Sequence, residues 1–67
     1  MPRGTVSWYS KDRGYGFITP DEGGVDVVVY AEAVQDAGAE ALAQGDVVGF
    51  ATEPFREFQK AVNLKIG

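Results

Sequence analysis

Arg13-Gly14-Tyr15-Gly16-Phe17-Ile18 is the stretch that decides how this chain is read. Along a strand, successive side chains point to opposite faces. Tyr15 and Phe17 then share one face, and Gly16 and Ile18 share the other. Ile18 suits an interior. Two aromatics on the outside of a sheet are a poor way to build a core and a good way to offer flat platforms to unpaired bases. Arg13 stands at the entrance to the strand, with Lys11 just before it; both suit phosphate, and the bland alternative for each is turn solubility.

Working outward, glycines and prolines punctuate several short segments. Gly4 to Ser10 is rich in Thr, Val, Trp and Tyr and reads as a strand. Lys11 to Gly14 is a polar turn, and Tyr15 to Thr19 a second strand stopped by Pro20. Asp21-Glu22-Gly23-Gly24 is a turn with glycines able to take positive φ. Val25 to Tyr30 is a third strand, its Val27-Val28-Val29 run β-branched. Ala31 to Gln44 holds six alanines, which favours helix, but Gly38 interrupts it. One helical turn near Glu32 to Gln35 followed by a loose acidic loop is expected. Val47 to Thr52 is a fourth strand, Pro54 to Phe58 a loop, and Lys60 to Ile66 a fifth strand, with Val62, Leu64 and Ile66 on one face. Five short strands in 67 residues suggest a small closed or nearly closed barrel, because closure removes exposed edges. The expected core is Val6, Ile18, Val27, Val29, Val34, Leu42, Val48, Phe50, Val62, Leu64 and Ile66.

Length and composition narrow the function. The chain is read as one domain, residues 1–67, near the lower limit for a core that folds unaided. With no cysteine and no histidine, disulfide scaffolds, thiol chemistry and zinc sites on those ligands are excluded; no cofactor is implied. No apolar run approaches a membrane span and no signal-peptide pattern precedes the first strand, so a soluble, cytoplasmic protein is expected. Nothing sets two carboxylates in an apolar pocket for acid–base work, and no phosphate-cradling glycine fingerprint is present, so an enzyme is not expected. The net charge of −4 argues against nucleic acid. Its segregation argues back. Arg3, Lys11 and Arg13 fall in the first thirteen positions, where only Asp12 is acidic, whereas Asp21 to Glu53 holds eight acidic residues and no basic one. The acidic residues read as a solvated face, with Asp26 and Asp46 satisfying turn amides.

Gly4-Thr5-Val6-Ser7-Trp8-Tyr9, Arg13 to Ile18, Pro20 to Gly24 and Asp26 to Tyr30, in that order and spacing, resemble the bacterial cold-shock domain. Leu42 to Phe50 and Ala61-Val62-Asn63 fit its second half, so the likeness runs almost end to end. The resemblance implies an all-β, five-stranded antiparallel OB-fold barrel. It also implies a protein that binds single-stranded RNA or DNA and acts as an RNA chaperone or a regulator of transcription or translation. It places Trp8, Tyr9, Tyr15, Phe17 and Tyr30 among the binding aromatics, with Arg13 at a phosphate-contacting position. Against packing under a loop or at a dimer contact, this context favours base stacking for Trp8, Tyr15 and Phe17. Tyr30 also fits as a cap on the barrel.

This chain also departs from the family pattern. Ser7 replaces a common lysine. The second strand motif, usually rich in phenylalanine, reads Val27-Val28-Val29-Tyr30-Ala31, so Val28 holds a contact position on the binding face but reads there as an inert patch rather than a contact of consequence. Ala31 and Ala39 stand where aromatics are frequent. The segment Pro54-Phe55-Arg56-Glu57-Phe58-Gln59-Lys60 is unlike the family's loop. Phe55 and Phe58 are candidates to restore stacking area, and Arg56 and Lys60 to meet phosphate. The alternative is a divergent cold-shock fold used for protein contact, a monomer or weak homodimer whose apolar face is an interface. The RNA-recognition-motif fold shares the aromatic signature but needs two full helices.

Overall fold

The computed structural model describes residues 2–66. Five strands and one short helix follow in the order β1 (Arg3–Ser10), β2 (Tyr15–Pro20), β3 (Val27–Tyr30), α1 (Ala31–Asp36), β4 (Val47–Phe55) and β5 (Phe58–Ile66). The strands close into a barrel in the order β1-β2-β3-β5-β4. All neighbouring pairs are antiparallel except β3 and β5, which run parallel and pair only at Val28–Lys60 and Val29–Ala61. The closed, mostly-strand architecture is that of the expected OB-type barrel.

Nine of the eleven expected core residues are buried: Val6, Ile18, Val27, Val29, Val34, Leu42, Val48, Phe50 and Leu64. The other two, Val62 and Ile66, were placed inside by strict alternation along β5. Val62 is half-buried and Ile66 is 41% exposed, while Ala61 fills the interior. For Val62 the cause is Asn63, whose φ of 53° is in the left-handed region; Ile66 shares the parity of the buried Leu64 and is exposed as the last residue of the strand. Ala51 pairs with Val62 and Gly49 with Lys65, so two steps on β4 face three on β5. This bulge changes the parity of everything beyond it. Asparagine tolerates the left-handed conformation better than other side chains. Asn63→Ala is therefore expected to destabilise the domain by about 1 kcal/mol, and Asn63→Gly by clearly less, as read by urea unfolding.

The helix is short for a local reason. Val34 anchors it in the core, and Gly38, at φ +88°, ends it. The Ala39 N–H donates to the Val34 carbonyl and the Gly38 N–H to the Gln35 carbonyl, the pattern of a Schellman cap. Residues beyond it form the expected loop, closed at Asp46, whose carboxylate accepts from the Ala43 N–H at 3.0 Å. Asp26, by contrast, does not serve a turn amide; its Oδ1 accepts from the Thr19 hydroxyl at 3.1 Å.

Two boundaries are corrected. The third strand begins at Val27, and Val25 is 85% exposed in the turn before it. The Pro54–Phe58 loop is instead a hairpin. β4 continues through Pro54 to Phe55, only Arg56 and Glu57 make the turn, and Phe55 pairs with Phe58. Pro54 is tolerated because it lies beside the tip, where the loss of one ladder donor costs little.

Candidate nucleic-acid interface

The outer face of β1, β2 and β3 begins with the expected alternation. Gly16 and Ile18 are buried, while Tyr15 and Phe17 are half-buried on the other side. Gly16 is required by a close approach. A Cβ there would sit 2.7 Å from the Tyr9 Cα and closer still to the Trp8 carbonyl oxygen.

Trp8 reaches the same face by a different device. Counting by twos from the buried Gly4 and Val6 would turn it inward. The β1–β2 register shifts between Val6 and Trp8, so that Val6 faces Ile18 but Trp8 faces Phe17. A bulge of this kind re-aims the side chains that follow it. Trp8 becomes exposed, at 41%, and Tyr9 is turned toward the barrel, where it packs against the core and lies beside Gly16. Tyr9 therefore stands apart from the rings that the structure brings together.

Three of those rings form one cluster. Trp8 and Phe17 are near-parallel with centroids 6.0 Å apart, and Tyr15 meets each edge-on, at 5.4 Å and 5.9 Å. Such pairs hold one another in place and lower the ordering cost of a bound ring. A row of paired residues then crosses four strands: Trp8, Phe17, Val28 and Lys60. Tyr15 pairs with Tyr30 alongside it. Val28 is nearly buried between its neighbours, a low point in the row.

The β4–β5 hairpin supplies a second cluster. Phe55 lies 5.7 Å from Tyr30 and 5.5 Å from Phe58, both edge-on. Two cations gather at Phe55, the Arg56 guanidinium at 5.6 Å and the Lys60 ammonium at 5.0 Å from its centroid. Arg56 takes φ 60° at the tip. Lys60 also pairs with Glu53 at 3.5 Å. On the other side, Lys11 and Arg13 are exposed in the β1–β2 turn. Lys11 lies 3.9 Å from Glu40, a distance at which an exposed pair contributes little. Cations thus flank the aromatic surface at both ends.

Asp26 was read from sequence only as a turn residue. Strand parity with Val28 and Tyr30 would have placed it on this face, where it borders a hollow over Val28. Ala39, at a position where the resemblance implies an aromatic, packs against the core.

Comparison with known proteins agrees with the geometry. Residues 2–66 match the family described as the 'Cold-shock' DNA-binding domain. A cold shock-like protein of Thermotoga maritima is 41% identical over 64 residues, 96% of each chain. Cold shock protein CspA of Rhizobium meliloti is 46% identical over 50 residues, 75% of this chain and 72% of its own. A glycine-rich protein of Nicotiana sylvestris is 45% identical over 51 residues; the aligned stretch is 76% of this chain and only 24% of that longer protein. With its closed five-stranded barrel, its outward aromatic cluster and this agreement along almost all of its length, the chain belongs to the cold-shock domain family and carries that family's nucleic-acid-binding fold.

Proposed function

We propose that the chain binds single-stranded RNA or DNA by stacking bases on Trp8, Tyr15, Phe17 and Tyr30. Phe55 and Phe58 extend the platform, and Lys11, Arg13, Arg56 and Lys60 meet phosphates. The observation that carries this reading is the Trp8–Tyr15–Phe17 cluster, three rings held together on the outside of a barrel whose core is complete without them. Every base has a π-face, so stacking is weakly sequence-selective. Paired bases have no free face, so unpaired RNA is favoured over hairpins. That is a chaperone-like action, and it requires no catalysis.

Tryptophan fluorescence tests this directly, since Trp8 is the only tryptophan and lies in the cluster. A pyrimidine-rich heptamer at low salt is expected to quench it with micromolar or tighter affinity, and a blunt duplex of the same length not to do so. Only four basic residues flank the face, and two of them lie near carboxylates. The slope of log K against log salt should therefore be shallow, of magnitude about 3 or less. No response at tens of micromolar, together with a dimer by light scattering, would favour the protein-contact reading instead.

A further inference from the structure

The barrel is closed along only part of one seam. β3 and β5 pair at Val28–Lys60 and Val29–Ala61 and no further. β3 ends at Tyr30, and the next N–H, that of Ala31, donates to the Gly14 carbonyl at 2.9 Å, so the chain turns off into α1. β5 runs on to Ile66, still paired with β4 on its other side. Among the described residues, no backbone hydrogen bond from α1 or a loop reaches Val62–Ile66. An edge of this kind is a row of open donors and acceptors on which another strand can form.

A groove of about 1000 Å³ follows this edge. Every residue from Lys60 to Lys65 borders it, without alternation, as the rim of a strand does and its face does not. The opposite wall is α1. Ala33, and Ala37 just past the helix end, line it with single methyl groups. Glu32 and Asp36, four apart and on one face of the helix, add two exposed carboxylates. Among the described residues neither is in an ion pair. Lys60 is committed to Glu53 and to the Phe55 ring, which leaves Lys65 alone against two acids.

Shape and charge select the occupant. A second copy would bring a β5 still flanked by its own β4, and α1 stands where that β4 would go. The bulge at Asn63 and the charge of Lys65 also oppose the flat edge of another sheet. A single strand of nucleic acid would meet the two carboxylates. A lone extended peptide meets none of these obstacles.

We propose that this groove takes a short extended segment of a partner protein, added as a strand on the Val62–Ile66 edge, with lysine or arginine at alternate positions meeting Glu32 and Asp36. Main-chain bonds hold the segment, and the acidic wall chooses it. Trp8, Tyr15 and Phe17 do not border the groove, so the stacking cluster stays open while a partner is held. The site stands or falls independently of nucleic-acid binding.

The probe is a terminally blocked hexapeptide of alternating valine and lysine, titrated into the labelled full chain and followed by amide NMR shifts. Saturable shifts are expected at Val62–Lys65 and Ala33–Ala37, with Trp8 and Phe17 little changed. The matching valine–glutamate peptide should bind at least about fivefold more weakly. That preference should fall to near one in the Glu32→Gln, Asp36→Asn double variant, whose two positions are exposed and outside the core. The lysine peptide N-methylated at every residue keeps its charge, loses its main-chain donors and should not bind. Equal binding of the methylated peptide would mean charge attraction without strand addition and would overturn the proposal. So would the absence of saturable binding at millimolar peptide. Concentration-dependent shifts of the same amides in the free protein would give the groove to a second copy, and shifts there with heptauridylate would give it to nucleic acid; either result overturns the peptide site.

Discussion

Phe17→Ala is expected to weaken binding of a pyrimidine-rich heptamer by at least tenfold while the barrel stays folded. A base stacked on an aromatic is worth about 1–3 kcal/mol by alanine substitution, and about 1.4 kcal/mol is tenfold. Phe17 should fall in the upper part of that range. Its ring lies 6.0 Å from Trp8 and 5.9 Å from Tyr15, so truncation removes one platform and releases two others. It also opens one side of the hollow over Val28. The core contains none of its atoms, so the loss should appear in affinity far more than in melting temperature. A loss well under tenfold by fluorescence or calorimetric titration would count against stacking on this face.

Gly16→Ala is expected to act on the fold. The added methyl has no room, since the nearest atoms are the Trp8 carbonyl oxygen and the Tyr9 Cα, both main chain. Overpacking a core typically costs about 1–3 kcal/mol when side chains can yield. Here the strand pair itself must part, at the point where β1 is bulged to turn Trp8 outward. We expect a loss of about 3 kcal/mol or more, a large share of the total for a chain of this size. Gly23→Ala is the contrast. Its φ is +89°, but a methyl there meets nothing within 4 Å, and the cost should be the backbone term alone, about 1–2 kcal/mol. Chemical denaturation of the two variants in parallel separates the effects; equal losses would mean that the close approach at Gly16 is not limiting.

How much of this was legible in the sequence depended on local chemistry. Period-two alternation gave β2 and β3 their faces, because no bulge interrupts Tyr15–Ile18 or Val27–Tyr30. The same rule failed in β5, where Asn63 inserts a residue and exchanges Val62 for Ala61 in the core. It would also have failed at Trp8, whose outward position came only from family resemblance. A register shift leaves no mark in composition, and its only trace in sequence is a residue type that tolerates it. Pro54 and the polar pair Arg56-Glu57 give the hairpin the look of a loop in sequence. The cross-strand pair Phe55–Phe58 became evident only once the register was known. Its place at a strand end makes Asp26 look like a partner for turn amides, whereas its parity with Val28 and Tyr30 is the signal that sets it on the outer face.

The central claim is that one face of this barrel receives single-stranded nucleic acid. Backbone and aromatic NMR shifts of the labelled protein, recorded as a pyrimidine-rich heptamer is added, test it most directly. The account predicts that the largest changes fall on Trp8, Tyr15, Phe17, Val28, Tyr30 and the Phe55–Phe58 hairpin, with α1 and the Ala39–Gln44 loop little changed. Shifts centred on α1 and the adjoining edge of β5, or none at saturating oligomer, would contradict it.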